Sequence, residues 1–146
     1  MLRCRVANVH KLRIGFFVKF KGADTILFEG DPEGIEKLAT VCTQLAMGAI
    51  QRVDLHALPF VARQRGLQIT TNTGSKSIGV RRSESDALRF HWTLSKEDWQ
   101  DVAWRLQALQ AGNGHQYLGD YLGTSDPIQL IASTGEYDQS FWQSLG

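Results

Sequence analysis

The stretch Leu12-Arg13-Ile14-Gly15-Phe16-Phe17-Val18-Lys19-Phe20 alternates strictly, with Leu12, Ile14, Phe16, Val18 and Phe20 on one side and Arg13, Gly15, Phe17 and Lys19 on the other. Successive side chains of a strand point to opposite faces, so the run reads as a half-buried β-strand. Lys21-Gly22-Ala23-Asp24 has the composition of a turn, and Thr25-Ile26-Leu27-Phe28 reads as the returning arm of a hairpin. A helix opens next at Gly30-Asp31-Pro32-Glu33. Asp31 can accept an unpaired N–H of the first turn, Pro32 has the φ that the first helical position needs, and Glu33 opposes the helix dipole. Beyond it, Ile35, Leu38, Ala39, Cys42, Leu45, Ala46 and Ala49 recur with helical spacing, while Glu36, Lys37, Thr40, Thr43 and Gln44 face away.

A second strand-then-helix passage lies further on. Leu88, Phe90, Trp92 and Leu94 alternate with Arg89, His91 and Thr93 and predict a strand over 87–94. Ser95 caps a helix whose apolar stripe is Trp99, Val102, Ala103, Leu106 and Leu109, with Gly112 and Gly114 as its stop. Between the two passages, residues 53–57, 67–71 and 77–80 are short strand candidates around Pro59 and the turn Asn72-Thr73-Gly74-Ser75. These elements predict an α+β fold: one antiparallel sheet of about five to seven strands with two helices packed on one face. With 146 residues, 42% of them hydrophobic, the chain matches a single domain over 1–146.

Cys42 falls on the apolar stripe of the first helix, where a thiol acts as a small hydrophobe, so Cys4 and Cys42 are expected to stay reduced. His10, Lys11 and Arg13 interrupt the N-terminal apolar residues before a signal-like run can form, and no stretch approaches the length of a membrane span. The expected location is the cytoplasm, without membrane contact. Charge is polarised: residues 1–82 carry 13 Lys+Arg against 6 Asp+Glu, and residues 83–146 carry 3 against 9. Such an asymmetry can steer a partner, or it can cancel where the two halves interleave. Nucleic-acid binding is not expected, because the basic residues form no coherent patch. Arg63, Arg65, Lys76, Arg81 and Arg82 read better as protection of strand edges.

The tail concentrates residues that carry chemistry. Gly114-His115-Gln116-Tyr117-Leu118 is expected as a loop after the helix, followed by a short buried strand at Ile128-Gln129-Leu130-Ile131-Ala132-Ser133 and then by Gly135-Glu136-Tyr137. This pattern resembles small bacterial immunity proteins of polymorphic-toxin systems, and the helix opening at 29–38 is similar to theirs over a short span. The resemblance implies a non-catalytic binder that neutralises a cognate toxin by occlusion. Its expected contacts are Trp104, His115, Gln116, Tyr117, Asp120, Asp126, Glu136 and Tyr137, and no catalytic residue, cofactor or metal is expected.

Each of these residues also has a plainer role. Trp104 lies about 140° round the helix from Trp99, opposite the stripe, so it is either a contact residue or covered by Phe141 and Trp142. His115 can simply interact with the dipole at a helix end. Paired with Glu136, it could instead transfer protons in a small hydrolase, with Ser133, Ser140 or Tyr117 as nucleophile. Asp54, His56 and His91 could approach one another on a sheet, but no metal-binding spacing is present. Gly112-Asn113-Gly114 lacks the preceding strand and the Lys-Ser/Thr of a phosphate loop. A structural module that forms a homodimer through a patch with Phe17 and Trp104 is the third reading.

Overall fold

The computed structural model describes residues 11–110, 114–120, 126–137 and 141–142. The hairpin is present: β1 (Leu12–Phe20) and β2 (Ala23–Gly30) pair antiparallel. Its two-residue connection has positive φ at both Lys21 and Gly22, 51° and 89°, the backbone that matches the twist of the flanking strands. The helix α1 (Pro32–Met47) starts as its sequence dictates, with the Asp31 carboxylate accepting from the Gly34 N–H at 2.7 Å. It ends on Gly48, left-handed at φ 77°.

Five further strands and a second helix follow: β3 (Arg52–Asp54), β4 (Val61–Arg63), β5 (Gln68–Thr73), β6 (Gly79–Arg82), β7 (Arg89–Leu94) and α2 (Lys96–Leu109). The Ser95 hydroxyl caps α2 by accepting from the Asp98 N–H at 3.3 Å. The chain closes with β8 (Gly114–Asp120) and β9 (Ile128–Thr134).

The α+β class and the two helices are as expected, but the strands divide differently. Two mixed sheets form, in the orders β4-β1-β2-β9-β8 and β3-β5-β7-β6. In place of a single antiparallel sheet, β1 with β4, β2 with β9 and β5 with β7 are parallel pairs. Local turn signals report hairpins, whereas parallel partners are joined by long crossovers and leave no mark in the intervening sequence. The helices pack on each other, and between them they touch strands of both sheets: α1 meets β2 and β5, and α2 meets β7, β8 and β9.

Two local expectations also change. Residues 53–57 are a strand only to Asp54, and Leu55–Ala57 form a 3-10 turn. The α2 helix ends with Gln110 in the right-handed conformation, and Gly114 opens β8; Gly112 lies outside the described residues.

The core joins both sheets and both helices. Its centre is aromatic: Phe28 faces Trp92 at 5.9 Å, Trp92 faces Trp99 at 4.8 Å, and Phe16 faces Phe90 at 5.2 Å. The buried Trp99 indole is satisfied by the Asn72 carbonyl at 3.2 Å. Arg82 of β6 closes one end, donating to Asp126 at 3.0 Å and Asp24 at 3.4 Å while lying over the Phe16 ring at 4.8 Å. One polar side chain thereby ties the smaller sheet to the larger.

Cys42 is a free, fully buried thiol, and burial pushes its pKa from 9.0 up to about 12. The folded chain therefore keeps a proton that the unfolded chain releases, and stability is complete below pH 9 and falls as pH rises toward 12. Urea unfolding at about pH 10 should show about 1 kcal/mol less stability than at pH 8 from this group, a component that vanishes in Cys42→Ala.

Candidate functional site

Every residue of β9 is buried, so both faces of the five-stranded sheet are covered at its centre. Ile128, Leu130 and Ala132 enter the core, and Gln129, Ile131 and Ser133 point to the opposite, outer face. Strand register then decides what Ser133 meets. Arg13 pairs with Glu29, Glu29 with Ser133, and Ser133 with His115, so these side chains form one row across four strands. The next row holds Gly15, Leu27, Ile131 and Tyr117.

Beyond β9 the chain reverses at Gly135, left-handed at φ 73°, and returns over this face. Glu136 Oε2 reaches His115 Nδ1 at 3.2 Å. Glu29 accepts twice, from the Tyr137 amide at 3.1 Å and from the Trp142 indole N–H at 2.6 Å. Phe141 stacks on Phe17 at 5.0 Å, Tyr137 meets Phe141 at 4.7 Å, and Arg13 lies 6.0 Å from the Trp142 ring. The segment is thus an aromatic strap anchored on one carboxylate. Next to it opens a cavity of about 430 Å³ lined by Gly135, Glu136, Tyr137 and Phe141. Ser133 Oγ, under this layer, is the one buried side-chain polar atom among the described residues with no hydrogen-bond partner.

Of the eight residues expected as contacts, His115, Tyr117, Glu136 and Tyr137 gather here. His115 and Tyr117 stand 5.9 Å apart edge to face, on a strand and not on the expected loop. That segment has few β-branched residues, and it becomes a strand because β9 offers it a paired edge. Gln116 falls on the other face of β8, half-buried. The Asp120 side chain, Ser140 and Cys4 lie outside the described residues. Asp126 precedes the far end of β9, about 20 Å from Ser133 at the rise of an extended chain, and its carboxylate is engaged by Arg82.

Trp104 is 61% exposed on α2. Phe141 and Trp142 do not cover it, since they lie on Phe17. Neighbouring Arg105 reaches the Tyr117 carbonyl at 2.8 Å, which sets this side of α2 beside β8.

Asp54 and His56 hold main chain and strand instead of gathering toward a ligand. The Thr70 hydroxyl donates to Asp54 at 2.9 Å, and the Ile69 N–H donates to His56 Nδ1 at 3.1 Å. Among the described residues no three His, Cys, Asp or Glu side chains are grouped as a metal ion would need. No helix there is long and apolar enough to cross a membrane.

Sequence reasoning missed Arg13 and Glu29 as members of this face. Arg13 was legible only as the wet side of a half-buried strand, and nothing local marks Glu29 as the anchor of a segment over a hundred residues away. No protein-family model, curated protein or solved structure matches the chain.

Because Glu29 makes two charge-assisted bonds, Glu29→Ala should cost about 1.5–3 kcal/mol in denaturant unfolding. Acrylamide quenching of tryptophan fluorescence should rise as Trp142 is freed, and unchanged quenching would show that the strap does not depend on this carboxylate.

Proposed function

We propose that this chain is a cytoplasmic, non-catalytic protein-binding module of the immunity type, which neutralises a cognate bacterial toxin by covering its working surface. The observation that carries this reading is Trp104. A tryptophan 61% exposed on a helix, next to a strand whose Tyr117 is 40% exposed, is the chemistry of an interface anchor. Large aromatics supply contact area at small entropic cost, and here they stand on packed secondary structure. The resemblance of residues 114–118 and 135–137 to immunity-type proteins supports the same class. Electrostatic steering by the acidic tail has less to work with than its composition suggests, because Asp126 pairs with Arg82.

The test is equilibrium binding to the product of the gene adjacent to its own. Trp104→Ala should weaken the complex by about 2 kcal/mol or more while changing unfolding stability by less than about 1 kcal/mol. A large stability loss with unchanged affinity would make Trp104 a structural residue.

A second reading has a specific observation on its side. Glu136 holds His115 Nδ1, and His115 is the register partner of Ser133 on β9, so the three residue types of a serine hydrolase lie on neighbouring strands. Burial weighs against it, since Ser133 is 0% exposed and its hydroxyl cannot meet a substrate while the strap is in place. Covalent labelling by a fluorophosphonate that disappears in Ser133→Ala would establish the hydrolase. Equal labelling of both proteins would remove it.

A further inference from the structure

Phe17, Phe20, Tyr137, Phe141 and Trp142 form one aromatic cluster on the outer face of the larger sheet, each ring within 6.0 Å of at least one other. Aromatic faces carry partial negative charge, so the rim of such a cluster attracts cations. Two side chains of the protein already use it. Arg13 lies 6.0 Å from the Trp142 ring, and Lys21 Nζ lies 6.0 Å from the Phe20 ring. A third part of the rim is the cavity of about 430 Å³ lined by Gly135, Glu136, Tyr137 and Phe141. This part holds a carboxylate that no Lys or Arg answers. Among the described residues Glu136 pairs only with His115, through Oε2, and its Oε1 has no partner.

The lining selects among ligands. An anion would be repelled by Glu136. A metal ion needs several oxygen or nitrogen ligands, and among the described residues no three His, Cys, Asp or Glu side chains gather. A neutral apolar molecule would bury the open carboxylate oxygen without a partner. A primary ammonium brings three N–H donors, more than one carboxylate oxygen between two rings can satisfy. An N-methylated ammonium has its charge and no such donors, and it gains from the rings and the carboxylate together. The volume also lies within the roughly 300–1,000 Å³ of small-molecule sites.

We propose that this cavity binds a small quaternary ammonium compound by its trimethylammonium group. The Tyr137 and Phe141 rings, 4.7 Å apart, provide the aromatic surface, and Glu136 provides the counter-charge. The site goes beyond the toxin-binding reading and uses neither Trp104 nor a partner protein, so either inference can fail alone.

The probe is choline, titrated into the full chain at constant ionic strength while the Tyr137 and Phe141 ring resonances are followed by NMR. A saturable shift with a Kd of about 1–10 mM is expected. Its neutral isostere 3,3-dimethylbutan-1-ol should bind at least tenfold more weakly, because it has the shape without the charge. Glu136→Gln should weaken choline binding about fivefold or more, Tyr137→Phe should leave it within about threefold, and Tyr137→Leu should weaken it at least tenfold. Circular dichroism checks that the variants are folded. If a variant is not, the unmodified protein decides, through nuclear Overhauser effects between the choline methyl protons and the Tyr137 or Phe141 ring protons. Absence of those effects, no saturation up to ~50 mM, equal binding of the isostere, or unchanged affinity in folded Glu136→Gln or Tyr137→Leu would overturn the proposal.

Discussion

The burial of β9 on both faces constrains everything around it. A strand that pairs parallel to one neighbour and antiparallel to another, with all seven residues out of water, needs cover above and below. On one side the cover is the aromatic core of Phe28, Trp92 and Trp99 with the two helices. On the other it is Tyr137, Phe141 and Trp142, laid on Phe17 and Phe20. The site follows from this second cover, because the tail has to be attached to something.

Attachment is polar and economical. Glu29 sits among buried neighbours and is matched by a main-chain amide and an indole N–H, which makes its desolvation tolerable. Gln129, also on this face, donates to the Thr25 hydroxyl at 2.9 Å and to the Phe20 carbonyl at 3.0 Å. Ser133 is the exception, a small hydroxyl under the strap with nothing to bond. At the opposite end Arg82 carries out for the two sheets what Glu29 carries out for the tail, with Asp24 and Asp126 as its partners. His115 and Glu136 belong to the margin of the strap, where each remains partly open to solvent.

Where local chemistry alone suffices, the chain is transparent. The hairpin turn, the Asp31 and Ser95 caps, and the buried stripes of both helices are direct consequences of neighbouring residues. Leu88 to Leu94 could only be a strand, and the observed β7 differs from the reading at its start alone. β4 escaped notice because three residues carry too little periodicity to register. β8 escaped because Gly114-His115-Gln116-Tyr117-Leu118 has loop composition, and its extended form comes from pairing with β9. Trp104 was readable as exposed from helix geometry, while the competing cover by Phe141 and Trp142 could be judged only when their contacts with Phe17 were in view.

By itself, then, the sequence determined the first hairpin, the capped start of each helix and which helix faces are apolar, since these depend on contacts within a few residues. The tertiary structure alone decided that the strands form two sheets, that Arg13, Glu29, Ser133 and His115 share a row, and that the tail closes over them. Those outcomes depend on the register of strands about a hundred residues apart, and register is set by which faces can be buried together across the whole chain.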